Sequence, residues 1–391
     1  MTTQTTETLI EARLLEKMVD ALDIPRSLYE RAVQRHKSLG EWLCRPESRF
    51  AKLTPYVSPQ GSFRYGTVNR PLNPDEEYDL DNVTTVALSK STISQFQLKT
   101  DYGAEVKAYA EANGMLRPVE EKPRCWRLVY SDEVSFHLDT LPCIPEDSPI
   151  VEAIRAGGVR DDWAQLAVAI TDRRHPSYKQ ISSSWLSSNP RGFARWFESR
   201  ARLGAGNRIM KLVEARVYAK VDDVPPYEWK TPLQRSIQIM KRHRDVMFRE
   251  NPDVKPISMI ITNLAAHAYG GELDVYTALT NIVDRMPDFI RSTAPRVPNP
   301  TEPREDYADK WATRPELEEH FWLWYSQLKD DIQRVPAIRE GQRLVKAAQR
   351  AFAIELSESE LLGEGLAKAA PIIVTSAPAI QISSPPRPWR K

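Results

Sequence analysis

Cysteine is nearly missing: only Cys44, Cys125 and Cys143 occur in 391 residues, and no two form a CxxC pair. That spacing excludes a disulfide framework and a zinc knuckle. No GxxxxGK[ST] occurs either, which disfavours a Walker-type ATPase. Net charge is almost absent, with 54 Lys and Arg against 53 Asp and Glu. A global polycation that coats nucleic acid is therefore excluded, and any nucleotide must be held by a local site. No apolar stretch approaches a membrane span, and the first residues, MTTQTTETLIEARLLEKMVDALD, lack the apolar core of a signal peptide. A cytoplasmic protein that touches neither membrane nor long nucleic acid is expected, working as a monomer.

Apolar residues make up 41% of the chain, with 10 Trp and 14 Tyr, enough for real cores. Its length favours two domains. Ile10, Leu14, Met18 and Leu22 recur at helical spacing, as do Leu28, Ala32, Leu39 and Trp42 beyond Pro25. From Tyr78 to about Leu88 the pattern becomes strand-like, and a helix follows over Ile93–Asn113. WRLVY and VSFHLDTLPCI read as a strand pair around a turn at Ser131, Asp132 and Glu133. Past Pro190 the segments Arg191–Val217, Pro232–Arg249, Pro256–Tyr269, Leu273–Met286, Pro315–Ile332 and Arg339–Leu356 read as helices. Ser292–Pro303 reads as an extended surface strap. The fold class is α+β, a mixed sheet backed by helices and followed by a helical lobe. The expected units are 1–185 (sheet core with N-terminal helices), 186–365 (helical lobe closing a cleft) and 366–391 (a mobile Pro/Ser-rich tail).

The chemistry concentrates in PQGSFRYGTVNRPLNPDEEYDLDNV, residues 59–83. On a strand, Asp79 and Asp81 share one face while Leu80 packs on the other. Two adjacent carboxylates repel unless a cation lies between them, and Mg²⁺ or Mn²⁺ bridging to phosphate is the natural partner. Asp139, closing VSFHLD, supplies a third acid from a strand that can pair beside the first. Two-metal phosphoryl transfer, with ions ~3.5–4 Å apart, needs such a set. Asp79 and Asp81 would hold the triphosphate metal and share the second, with Asp139 near the attacking hydroxyl. Gly61 and Ser62, with Gln60 before them, let backbone approach a phosphate and offer it donors. A lone DxD is usually a polar strand edge and a lone Gly-Ser a turn. Their occurrence together, with a third strand-borne acid, argues for a site. His137 shares the parity of Asp139, and a packing or polar-edge role is preferred for it.

These residues resemble the nucleotidyltransferase superfamily of DNA polymerase β and, more closely, the bacterial cGAS/DncV-like nucleotidyltransferases. QGSFRYGTVNRP, YDLD, HLDTLPCIP, SNPRGFARWF, LQRSIQIMKRHRD, PISMIITNLAAHAY and NPTEPREDYADKW carry the resemblance, from about Gln60 to Trp311. It implies a cyclic oligonucleotide synthase using ATP, GTP or pyrimidine triphosphates, in anti-phage defence. The product would reach a separate cyclic-nucleotide-gated effector, and operon-encoded accessory proteins would be partners. The resemblance also assigns Lys241 and Ser258 to the triphosphate and Tyr65 to stacking on a base. Ser188, Asn189 and Pro190 match a domain junction with no chemical role. From the residues themselves, Leu233, Ile237, Met240 and Phe248 form a buried stripe that sets Lys241 beside the core, able to point into a cleft. The alternatives are KRHR as a solvated basic face, Ser258 as a first-turn serine and Tyr65 as core. The rival functions are a nucleotidyltransferase acting on RNA or protein, and a nucleotide-binding sensor without turnover.

Overall fold

The computed structural model describes residues 2–73, 76–130, 136–204 and 230–369. In chain order the elements are α1 (Thr2–Asp20), α2 (Arg26–Cys44), β1 (Tyr56–Gln60), α3 (Gly61–Tyr65), β2 (Tyr78–Thr85) and α4 (Gln95–Ala112). Then come β3 (Glu120–Glu121), β4 (Trp126–Tyr130), β5 (Phe136–Pro145), α5 (Ser148–Ala156), α6 (Asp161–Ala164), β6 (Val168–Ile170), β7 (Leu186–Ser188) and α7 (Pro190–Ala201). After residue 229 follow α8 (Pro232–Met247), α9 (Ser258–Ala268), α10 (Val275–Arg285), β8 (Pro298–Asn299) and β9 (Glu302–Asp306). The closing helices are α11 (Glu316–Ala337), α12 (Gly341–Phe352) and α13 (Glu358–Gly363).

The main sheet runs β1-β2-β5-β4-β3, with β6 on the far end of β5 and β7 on β6. Only β2 and β5 pair in parallel; the other pairs are antiparallel. A parallel pair needs a crossover, and α4 supplies much of it. The apolar sides of β2, β4 and β5 pack with α2 and α4 into one core, which contains Leu80, Leu98, Tyr102, Val106, Leu128 and Leu138. The Tyr102 hydroxyl, buried in that core, is satisfied by Thr84 and Thr140 on β2 and β5. Leu80 is 5% exposed, whereas Asp79 faces outward. Strand alternation therefore presents the carboxylates on the face opposite α4.

The helical lobe has its own core, which α1 joins through Leu14, Leu15, Met18, Val19 and Leu22. This differs from the expected 1–185 unit. The stripe on α1 announces a buried face, but its complement is supplied by α10 and α11 rather than by the sheet. The proline-rich strap also differs: its second part forms the β8–β9 hairpin. Asn299 Oδ1 accepts from the amide and hydroxyl of Thr301, the side-chain turn that reverses the chain there. The proposed tail starts too early, because Leu366 is 1% exposed and Lys368 exchanges backbone hydrogen bonds with Arg339 and Gly341. Residues 370–391, the turn at 131–135 and the rest of the expected helix to Val217 lie outside the described residues.

Asn189, fully buried, makes the junction between the lobes. Its Oδ1 accepts from the Gly192 amide at 2.9 Å, capping α7. Its Nδ2 donates to the carbonyls of Trp163 and Thr301 at 2.8 and 2.9 Å. Asn189→Ala leaves the buried Gly192 amide and Thr301 carbonyl without this partner and takes one bond from the Trp163 carbonyl, which also accepts from Leu166, and a loss of about 2–4 kcal/mol is expected. Urea unfolding with an unchanged slope and a lower midpoint is the readout.

Candidate active site

Because β2 and β5 pair in parallel, Asp81 stands beside Asp139 and Asp79 beside His137 in the register. Asp79, Asp81 and Asp139 each bring a carboxylate oxygen to within 4.8 Å of the others. Burial and then the charges of Asp79 and Asp139 push the Asp81 carboxyl well above the ordinary carboxylate range. Three oxygen-rich ligands whose charges oppose one another fit a hard divalent cation.

An arginine and a histidine flank the acids. Arg127 on β4 stands opposite Asp139 and grips both its oxygens, Nε and Nη2 each at 2.7 Å. This is the bidentate geometry that carboxylate and guanidinium favour. His137 contacts Asp79 through Nε2 at 2.8 Å and Glu77 through Nδ1 at 2.9 Å. Its hydrogen bond to Asp79 is the main cause that raises its pKa. His137 thus faces the site, as its parity allowed, instead of serving as a packing residue.

Gly61 turns the chain from β1 into α3 at φ +67°, directly against the acids. A Cβ there would lie 2.2 Å from Asp81 Oδ2. Gly61, Ser62, Asp79 and Asp81 line one wall of a cleft of about 860 Å³, and Lys241 and Ser258 line the other. Gln60 is not among the lining residues; it pairs with Asp81 across β1–β2. Tyr65 departs from expectation. It borders the cleft but is only 5% exposed, with its ring 5.3 Å from each of Phe193 and Phe197, so most of the ring is packed in the helical core.

The far wall is built by α8. Gln234 Nε2 donates to the Tyr65 carbonyl at 2.8 Å, Lys241 Nζ to Thr67 at 2.9 Å and Gln238 Nε2 to Val68 at 2.8 Å. Arg242 adds the Arg70 carbonyl. The spacings of four, seven and eight residues keep these donors on one helix face, so α8 holds the stretch after the Gly-Ser turn residue by residue. The run Lys241-Arg242-His243-Arg244 is accordingly buried, 8%, 5%, 2% and 4% exposed, and is no solvated basic face. His243 turns the opposite way, to Asp331 on α11 at 3.2 Å. Burial, and next the Arg244 charge, bring the Lys241 ammonium down to about 8. Arg127 and Arg244 are the site neighbours that sequence reasoning missed.

The family description "Cyclic GMP-AMP synthase DncV-like, nucleotidyltransferase domain" matches residues 55–142, which hold the Gly-Ser turn and all three acids. A "c-di-GMP synthase" of Roseivirga ehrenbergii is 29% identical over 85% of this chain and 82% of its own length. The "Cyclic dinucleotide synthase CdnG" of Bradyrhizobium diazoefficiens is 24% identical over 77% and 70%. Residues 55–142 thus match a DncV-like nucleotidyltransferase domain, and over most of its length the chain is similar to bacterial cyclic dinucleotide synthases. The solved structure of the Bradyrhizobium diazoefficiens enzyme CdnG in complex with GTP shares the fold of this nucleotidyltransferase. Its TM-score is 0.64 at 20% identity, with 91% of this chain and 99% of that one covered. The Vibrio cholerae synthase DncV, in complex with the linear intermediate pppA(3′,5′)pG, is a more distant structural neighbour at TM-score 0.51 and 14% identity. No helix among the described residues is long and apolar enough to cross a membrane.

The expected role of Lys241 predicts a measurable pH response. A triphosphate bound against Lys241 would raise the lysine's pKa above its free value of about 8, so the charged form would be favoured in the complex. Affinity is then greatest below pH 8 and falls as pH rises through that value. Binding at pH 8.5 should take up a fraction of a proton, read by calorimetry in buffers of different ionisation enthalpy. Lys241→Met should abolish the uptake.

Proposed function

We propose that this nucleotidyltransferase joins nucleoside triphosphates into a cyclic di- or trinucleotide, releasing pyrophosphate at each bond. The observation that carries the reading is the opposition, across one cleft, of Asp79 and Asp81, with Asp139 clustered behind them, and a buried lysine. The names of the Roseivirga and Bradyrhizobium relatives support a cyclic product. A cleft of about 860 Å³ is near the upper end of ligand sites, ~300–1,000 Å³, which supports more than one nucleotide at a time.

In this reading Lys241 and Ser258 hold the triphosphate, and Gly61-Ser62 meets it from the opposite wall. Asp79 and Asp81 face its α-phosphate region, and Asp139, oriented by Arg127, faces the attacking 2′- or 3′-hydroxyl. Asp79, Asp81 and Asp139 would hold two Mg²⁺ or Mn²⁺ ions, which supply charge neutralisation of the triphosphate and a more acidic attacking hydroxyl. The chain's own contribution is positioning and preset charge, the main resources of phosphoryl transfer. The product is read as a second messenger in anti-phage defence, acting on a separate cyclic-nucleotide-gated effector.

Incubation with the four labelled triphosphates and Mg²⁺ or Mn²⁺, then phosphatase and mass spectrometry, tests the reaction. A phosphatase-resistant species with the mass of a cyclic di- or trinucleotide is expected. Label entering RNA or protein would establish a macromolecular acceptor instead, and triphosphate binding without pyrophosphate release would establish a sensor.

A further inference from the structure

The KRHR run ends in a residue with no assigned role. Arg244 is 4% exposed and stands in the last turn of α8. Its Nε and Nη2 donate to Asp245 Oδ1 at 3.0 and 2.7 Å. Its Nη1 donates to the Pro256 carbonyl at 3.1 Å and to Ser258 Oγ at 2.9 Å. Lys255 approaches the same Asp245 oxygen at 3.4 Å. Four of the five guanidinium N–H directions are therefore committed to protein partners, and the group is held from both ends.

The bond to Ser258 has a fixed polarity. A guanidinium only donates, so Ser258 Oγ must accept, and its own hydrogen must point elsewhere. Among the described residues no acceptor for that hydrogen is recorded. Ser258 is half-buried, opens α9 and lines the cleft, and the residue before it, Ile257, provides no side-chain cap. A serine at the start of a helix would otherwise be free to turn its oxygen toward backbone amides. Arg244 fixes one lone pair of that oxygen as an acceptor and leaves the O–H to turn toward whatever enters the cleft.

We propose that Arg244 is a positioning residue that presents the Ser258 hydroxyl as a hydrogen-bond donor to a phosphate oxygen of the bound triphosphate. The inference rests on the reading of this cleft as a triphosphate site, and deepens it. Arg244 acts through Ser258 and does not itself leave Asp245 to reach the ligand.

A double-mutant cycle on triphosphate affinity tests this, using α,β-nonhydrolysable analogues of the four nucleotides with Mg²⁺ and the full chain. Ser258→Ala and Arg244→Gln are each expected to weaken binding about tenfold, the scale of one hydrogen bond to a charged group. The double variant should also be about tenfold weaker. Arg244→Lys, which can still donate to Ser258 but loses the fork to Asp245, should fall between wild type and Arg244→Gln. A double variant about a hundredfold weaker would overturn the inference, because Arg244 would then act on the ligand independently of Ser258. So would Arg244→Gln that binds like wild type and only melts earlier. If Arg244→Gln does not fold, Asp245→Asn takes its place: weaker binding is expected in the wild-type background and none further in Ser258→Ala. Failure of wild type to bind any analogue would overturn the inference. Normal analogue binding with no cyclic product would overturn the proposed reaction and leave the coupling between Arg244 and Ser258 standing.

Discussion

Asp81→Asn is expected to lower product formation by at least about 10³-fold while leaving the metal-free protein as stable as wild type or more so. The substitution keeps the shape of the side chain and removes one of three charges packed within 4.8 Å. In the metal-free protein that charge is unfavourable, since burial, Asp79 and Asp139 all oppose it. Function and stability should therefore move in opposite directions, which ordinary damage to a fold does not produce. Two measurements check this: the melting temperature without metal, and its increase on adding Mg²⁺ or Mn²⁺. Wild type should gain on metal addition, and Asp81→Asn should gain little. Asp79→Ala should also abolish product with the fold intact. Synthesis at wild-type rates by both variants would falsify the assignment of the acids.

Gly61→Ala is expected to cost both stability and activity, for two separable reasons. At φ +67° an alanine is strained by about 1–2 kcal/mol wherever it stands. Here its Cβ would also meet Asp81 Oδ2 at 2.2 Å, so either the turn or the carboxylate must shift. A shift of order 1 Å at a reacting centre costs about 10²-fold in rate. The comparison that isolates the second effect is Gly66→Ala, also at positive φ (+66°) but facing Gln234. Comparable loss of melting temperature, with activity lost far more in Gly61→Ala, is the expected pattern. Equal activity in the two would show that the close approach to Asp81 does not matter.

The acids were legible because strand parity is local: Asp79, Leu80 and Asp81 settle their own faces without reference to anything distant. Asp139 was legible for the same reason once β5 was recognised. The arginine that grips it was not. Arg127 stands opposite Asp139 only through the register of the β4–β5 hairpin, and WRLVY carries no signal of that register. Burial of Arg242 and Arg244 was equally hidden. They donate to the carbonyls of Arg70 and Pro256, and a backbone carbonyl is the same atom at every position in a sequence. Tyr65 was legible only in part. Its place after Gly-Ser put it at the cleft, which it borders, but in a five-residue helix neither face is marked, and Phe193 and Phe197 take most of the ring. The stripe on α1 correctly announced burial and was silent about which lobe would cover it.

That placement of α1 makes most of the sheet lobe an insertion within the helical one. Among the described residues the chain leaves the helical core after Leu22, touches it again at Tyr65 and returns to it through α7. The middle attachment is the one nearest the site, because Gln234, Lys241 and Gln238 on α8 hold the carbonyls of Tyr65, Thr67 and Val68. A body attached at three places cannot hinge about two of them without breaking the third. The two outer attachments are themselves well tied, Asp23 to Lys230, Arg235 and Gln238, and Asn189 to Gly192, Trp163 and Thr301. The spacing between the acids and the lysine is therefore preset by the backbone between Gly61 and Arg70, and a substrate meets a gap of fixed width.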